Sequence, residues 1–130
     1  MANCLLDTHI FIWVTCNASK LPKSIAEILR SDNHIVYLSI ASIWEIQIKH
    51  QLGKLTLTKP FNEIVDDVIQ NKLYQILPIK ECHVLNLQQL PFIHKDPFDR
   101  LLISQALTEN LTLLTVDEHI VKYPISFINH

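Results

Sequence analysis

The chain has 130 residues, of which 48% are hydrophobic and 18% are charged, and its formal net charge is −2. This composition is typical of a globular protein and excludes a disordered chain, and we expect one domain spanning residues 1–130. The slightly negative charge argues against broad, non-specific binding to nucleic acids. The single glycine, Gly53, excludes a Walker loop and a GxGxxG dinucleotide turn.

The termini and the cysteines indicate where the protein resides. No apolar run reaches the roughly 20 residues that a membrane-spanning helix needs. The N-terminal segment lacks a basic leader and is interrupted by Asp7, so we expect neither a signal peptide nor membrane association. Cys4, Cys16 and Cys82 are odd in number and form no CxxC pair. They are expected to be buried thiols of a cytoplasmic protein, without a disulfide framework or a zinc site.

Strand and helix patterns alternate along the chain. Ser39 and Asp96 are good N-caps, and Pro22 and Pro97 suit the first turn of a helix. The predicted strands cover residues 3–6, 34–38, 74–79, 111–115 and 126–129. The predicted helices cover residues 8–14, 22–30, 39–51, 60–71, 81–89 and 97–109. This alternation predicts βαβ units and an α/β fold with a mainly parallel sheet.

Four acidic residues carry most of the functional information: Asp7, Glu45, Asp99 and Asp117. Asp7 and Asp117 follow predicted strands, while Glu45 and Asp99 lie in helices that begin at the carboxyl edge of a parallel sheet, where ligands bind. A carboxylate cluster needs a positive charge, and Mg²⁺ and Mn²⁺ prefer oxygen ligands. The pattern therefore predicts a metal site for phosphodiester chemistry.

Three of these acids also have structural interpretations. Asp99, like Asp96, could cap a helix and complement its dipole. Glu45 could be a surface residue paired with Lys49 four positions later, although apolar neighbours predict that it is half buried. Asp117 could be a turn residue.

The acids lie in four segments that resemble the acidic motifs of PIN-domain nucleases, most closely those of the VapC-like toxins. The segments are LLDTH (residues 5–9), SIWEI (42–46), HKDPFDRLL (94–102) and LTVDE (114–118). They occur in the right order and span nearly the whole chain. Singly the motifs are weak, but together they are fairly specific.

The resemblance implies a three-layer α/β/α sandwich and a Mg²⁺- or Mn²⁺-dependent endoribonuclease that cleaves RNA. It also implies a cognate antitoxin protein and a homodimer. In such a domain Asp7, Glu45, Asp99 and Asp117 would hold the metal and form the catalytic set, and Asp96 would support them. Further candidate supporting groups are Thr8, His9, His94 and Thr115. A phosphate-binding role is open for Lys49, Lys54 and Arg100, and a solvated surface role is equally open for the two lysines.

Two other functions compete with the nuclease. A PIN-like domain without turnover could act through protein contacts alone, although the complete acid set argues against this. An aspartate-based, metal-dependent phosphatase would use Asp7 as its nucleophile. Such enzymes usually place a second aspartate two residues later, where this chain has His9.

Overall fold

The computed structural model describes residues 3–93, 96–117, 120 and 127–128. The strands are β1 (Asn3–Leu6), β2 (Ile35–Ser39), β3 (Gln75–Leu77), β4 (Thr112–Leu114) and β5 (Phe127–Ile128). The helices are α1 (Thr8–Cys16), α2 (Lys23–Arg30), α3 (Ile40–Gln51), α4 (Phe61–Gln70), α5 (Glu81–Leu85) and α6 (Pro97–Glu109). Short 3-10 helices cover Ala18–Lys20 and Asn86–Gln89. No helix in these residues is long and apolar enough to cross a bilayer.

The strands form one parallel sheet in the order β3-β2-β1-β4-β5. β1 lies at its centre, with Cys4 opposite Val36 of β2 and Thr112 of β4. All five strands therefore end at the same edge, and the residues that follow the central strands are brought close together.

Helices cover both faces of the sheet. Successive strand residues point to opposite sides, so neighbouring residues of β1 pack against different helices. Cys4 and Leu6 belong to one core cluster with apolar residues of α1, α2, α3 and α4. Leu5 belongs to a second cluster with Leu101, Leu102 and Ile103 of α6. This arrangement confirms the predicted three-layer α/β/α sandwich.

The two helices that carry predicted site residues begin at the predicted N-caps. The Ser39 hydroxyl accepts a hydrogen bond from the backbone N–H of Ala41 at 3.0 Å. One carboxylate oxygen of Asp96 accepts from the N–H groups of Phe98 and Asp99, at 2.8 and 3.1 Å. These caps satisfy backbone donors that have no partner inside the helix. They fix where α3 and α6 start, and hence where Glu45 and Asp99 lie.

The sequence pattern overestimates several elements, most clearly the third strand and the fifth helix. The strand predicted at 74–79 is only Gln75–Leu77, because β3 pairs with β2 alone and Pro78 has no N–H to continue a ladder. The helix predicted at 81–89 changes into a 3-10 helix after Leu85. The fifth strand is confirmed at Phe127–Ile128, whereas residues 126 and 129 lie outside the described residues.

The three cysteines are free, in agreement with the predicted absence of a disulfide framework. Their predicted burial is correct only in part. Cys4 is fully buried in the central strand, Cys16 is partly buried and Cys82 is exposed on α5. Cys82 lies in a short helix whose outer side faces solvent, a feature that cysteine counting does not reveal.

Candidate metal centre

The structure brings the four predicted acids together at the carboxyl edge of the sheet. Asp7 directly follows β1, and Asp117 lies three residues after the end of β4. Glu45 is in α3 and Asp99 is in the first turn of α6. The carboxylates are close enough to influence one another: the charges of Asp7, Glu45 and Asp117 all raise the pKa of Asp99.

Asp7 directly follows the central strand β1 and is 1% exposed. It is the N-cap residue of α1, but its side chain makes no capping hydrogen bond. Its Oδ2 instead accepts a hydrogen bond of 2.8 Å from the hydroxyl of Thr115. Its buried Oδ1 has no hydrogen-bond partner among the described residues. A buried carboxylate oxygen without a donor is costly, so this atom is suited to bind a cation.

Glu45 combines the two interpretations that its sequence left open. It is buried, and its Oε2 lies 3.0 Å from the Nζ atom of Lys49. Its Oε1 is also buried and has no hydrogen-bond partner in the part of the chain that the structure describes. Glu45 is thus an inward-facing carboxylate with one oxygen still available.

Asp99 carries the clearest electrostatic signature of the cluster. Burial, followed by the charges of Asp7, Asp96, Glu45 and Asp117, raises its pKa to about 8. Burial likewise raises the pKa of Asp7, against the opposing effect of the hydrogen bond from Thr115. Carboxyl groups held this way disfavour their own ionised forms unless a positive charge joins them.

Thr115 links two of the acids. Its hydroxyl donates to Asp7 and accepts a hydrogen bond of 3.0 Å from the backbone N–H of Asp117. Thr115 is fully buried between the end of β4 and the loop that carries Asp117. It therefore sets both the orientation of the Asp7 carboxylate and the course of the chain at Asp117.

The other predicted supporting residues have diverse positions. The Thr8 hydroxyl donates a hydrogen bond of 2.9 Å to the Ser42 hydroxyl. The sequence did not predict this contact. The spacing of Ser42 could have indicated its place near the site, because it lies three residues before Glu45 on the same face of α3. His9 is exposed, and its charge lowers the pKa of Asp7. His94 lies outside the described residues.

Arg100 is buried, and neither its burial nor its contacts favour phosphate binding. It is 7% exposed, and its guanidinium donates to the carbonyl oxygens of Pro91 and Leu87 at 2.9 and 3.1 Å. The same group lies 4.2 Å from the centre of the Phe92 ring. Arg100 therefore anchors the segment before α6. Lys54 is exposed, whereas Lys49 contacts Glu45.

The residues present fit a hard divalent cation. The donors are all carboxylate oxygens, which Mg²⁺ and Mn²⁺ prefer. Two of these oxygens are buried without a hydrogen bond, and the carboxyl groups repel one another. No three His, Cys, Asp or Glu side chains among the described residues already surround one point as a complete ligand set. The acids are therefore assembled in one region, but not as a preformed ligand set among the described residues.

Several solved structures of complexes contain a chain with a similar fold. The chain is similar to one in VapBC2 from Rickettsia felis bound to a promoter DNA fragment, with 19% identity, 98% coverage of each chain and a TM-score of 0.75. A DNA-bound VapBC chain from Salmonella typhimurium gives 16% identity, 99% coverage of this chain, 98% of that chain and a TM-score of 0.69. A chain of FitAcB from Neisseria gonorrhoeae is 20% identical, with 97% coverage of this chain, 96% coverage of that chain and a TM-score of 0.63.

The sequence itself matches one family model over most of its length. No curated protein matches the chain. The model of the PIN domain, however, matches residues 4–125, a stretch that contains all four acids of the cluster. The chain therefore belongs to the PIN-domain family.

Proposed function

We propose that the protein is a divalent-metal-dependent endoribonuclease and the toxin of a toxin–antitoxin pair. The observation that carries this proposal is the buried acid cluster with two oxygens, one on Asp7 and one on Glu45, that lack hydrogen bonds among the described residues. Membership of the PIN-domain family and the resemblance to VapC-like toxins support the same function.

Asp7, Glu45, Asp99 and Asp117 are the residues that would hold Mg²⁺ or Mn²⁺. When bound, such an ion supplies positive charge at a phosphodiester and lowers the pKa of an attacking water. Thr115 orients the Asp7 carboxylate through its 2.8 Å hydrogen bond. A carboxylate of the cluster accepts the proton of the attacking water. Asp96 supports the site by starting α6 and thereby positioning Asp99.

The proposed protein partner is an antitoxin, and a second copy of the chain completes a homodimer. Large apolar side chains remain exposed, with Phe92 84%, Leu52 64% and Trp44 57% exposed. An apolar groove of about 410 Å³ lies between α3 and α4 and includes Trp44, Phe61 and Val65. The likeness to chains of VapBC and FitAB complexes supports a protein partner on such surfaces.

The test is cleavage of single-stranded RNA with purified protein and Mg²⁺ or Mn²⁺. We expect cleavage only with the ion present, loss of cleavage in excess chelator and no activity in the Asp99→Asn variant. Undiminished cleavage in chelator would contradict the metal requirement. A folded protein that binds its partner but never cleaves RNA would instead be a PIN-like interaction module. Release of inorganic phosphate from monoesters, without RNA cleavage, would favour the phosphatase.

A further inference from the structure

Lys49 lies at the border between the acid cluster and solvent. It follows Glu45 by four residues on α3, and its Nζ atom is 3.0 Å from Oε2 of that glutamate. The side chain of Glu45 is 6% exposed, whereas that of Lys49 is 33% exposed. Because helical side chains point towards the N-terminus of their helix, Lys49 reaches back towards the carboxyl edge, where the acids lie.

We propose that Lys49 is a placeholder cation for the metal. In the metal-free protein its ammonium group neutralises Glu45. When a divalent cation binds, Lys49 gives up this carboxylate, and the released ammonium group then contacts a phosphate of the RNA. This inference rests on the proposed nuclease function and adds a specific role for a residue outside the acid set.

The positions of the two groups make the ion pair and metal binding antagonistic. Oε1 of Glu45 has no hydrogen-bond partner among the described residues, so the ammonium group satisfies only one side of this carboxylate. A divalent ion held by Glu45 would lie within a few ångströms of the Lys49 ammonium and repel it, most strongly where water is excluded. The flexible stem of a lysine allows the ammonium to move without disturbing α3.

The released group would then face the approaching substrate. RNA reaches the buried carboxylates from the solvent side, and Lys49 is a partly exposed cation that contacts one of them. Arg100, by contrast, is engaged by the carbonyl oxygens of Pro91 and Leu87. An ammonium group next to the site offsets the repulsion between a phosphodiester and the acids.

The first test is calorimetric titration of RNA-free protein with Mn²⁺. Lys49→Met removes the competing charge and should tighten Mn²⁺ binding by about three- to tenfold. Lys49→Arg should weaken it relative to the parent, because a guanidinium group can hold a carboxylate by two parallel hydrogen bonds. Lys59→Met is the matched control: Lys59 pairs with Asp67 on the exposed surface, so its loss should leave Mn²⁺ affinity unchanged.

The second test is RNA cleavage at saturating Mn²⁺. Lys49→Met should raise the KM for RNA by about tenfold, although the same variant binds metal more tightly. Tighter Mn²⁺ binding together with a higher KM for RNA supports the proposal. Unchanged or weaker Mn²⁺ binding by Lys49→Met, or an unchanged KM, overturns it. If the methionine variant does not fold, the Mn²⁺ affinity of Lys49→Arg decides: weaker binding than the parent supports the proposal, and equal or tighter binding overturns it. A parent protein that neither binds Mn²⁺ nor cleaves RNA would instead refute the proposed function.

Discussion

Among the residues that the structure describes, two groups of buried polar side chains differ in how well their hydrogen bonds are satisfied. The first is the acid cluster around Asp7. The second joins α5 to α6 around His83, which is fully buried. Nδ1 of His83 accepts from the backbone N–H of Lys80 at 2.9 Å, so Nε2 carries the proton and donates to Glu109 at 2.7 Å. The Ser104 hydroxyl donates to the His83 carbonyl at 2.6 Å.

The same network reaches the start of α3. Gln105 accepts from the Ser39 hydroxyl at 2.6 Å and donates to the Pro78 carbonyl at 3.3 Å. Among the described residues, both buried side-chain oxygens that lack a hydrogen bond belong to the acid cluster, and none belongs to this network. Satisfied polar groups rigidify a fold, whereas unsatisfied ones are retained when a ligand completes them. The comparison separates a hydrogen-bonded structural network from the region of the proposed metal site.

The largest difference between the two regions should appear in activity. Asp7→Asn retains the size of the side chain but removes one buried charge of the cluster. We expect RNA cleavage to fall by at least about a hundredfold, because even changes next to a metal ligand cost up to that much. Circular dichroism should show that the variant is folded. The control is Asp32→Asn, the same change at an exposed aspartate, which should leave the rate unaltered.

The metal-free acid cluster should make stability depend on pH. The pKa of Asp99 is about 8 in the folded protein, against an ordinary value of 3.8. The folded state therefore retains a proton that the unfolded chain releases. This contribution to stability is fully present below pH 3.8 and is lost as the pH rises through 8. Asp99 alone contributes a slope of at most about 1.4 kcal/mol per pH unit.

Chemical denaturation in chelator between pH 5 and 9 measures this slope. Asp99→Asn should flatten it and make the protein more stable than the parent at pH 9. Saturating Mn²⁺ should stabilise the parent by about 2.7 kcal/mol at a hundredfold excess over its dissociation constant, and the variant by less. If the variant has the slope of the parent and gains as much from Mn²⁺, Asp99 is not part of the metal site.

The histidine network should respond in stability rather than in chemistry. His83→Ala leaves the part-buried backbone N–H of Lys80 without its partner and leaves Glu109 with Lys80 alone. We expect a loss of about 2–3 kcal/mol in the free energy of unfolding. The rate of RNA cleavage per folded molecule should stay unchanged. Val84→Ala, at an exposed position of the same helix, is the control for denaturant unfolding. A large fall in activity with normal stability would show that this region is not merely structural.

The smallest effect concerns the residue that orients Asp7. Thr115→Val preserves the shape of the side chain but removes the hydrogen bonds to Asp7 and from the N–H of Asp117. We expect about tenfold slower cleavage, typical of losing a group that orients a metal ligand. Thr115→Ser restores the hydroxyl and should recover most of the rate. Equal rates for the valine variant and the parent would mean that the Asp7 carboxylate needs no orientation.

Helix starts were predicted well because capping depends on residues that are close together in the sequence. The N-caps Ser39 and Asp96 and the first-turn proline Pro97 define their helices within one residue of the observed starts. Alternating strand and helix patterns then suffice to predict a parallel sheet. The short strand β3 was overestimated because its length depends on pairing with β2, which is a non-local property.

The candidate site was predictable in composition but not in its contacts. The positions of the four acids follow from the common carboxyl edge of a parallel sheet. The inward direction of Glu45, its pairing with Lys49 and the hydrogen bond between Thr115 and Asp7 depend on how separate elements pack. Arg100 illustrates the limit most clearly, since the sequence left a phosphate-binding role open for it, whereas its packing makes it an anchor for Pro91 and Leu87.

The central position of β1 has a consequence for synthesis of the chain. The first strand pairs with β4, and the hydrogen bond between Thr115 and Asp7 joins residues separated by 108 positions. Contacts of such long range form late in folding, since closing a long loop costs entropy before any contact compensates for it. Because the ribosome makes the N-terminal part first, a nascent chain carries Asp7 long before Thr115 and Asp117 exist. The proposed nuclease site therefore cannot be complete until synthesis has passed residue 117.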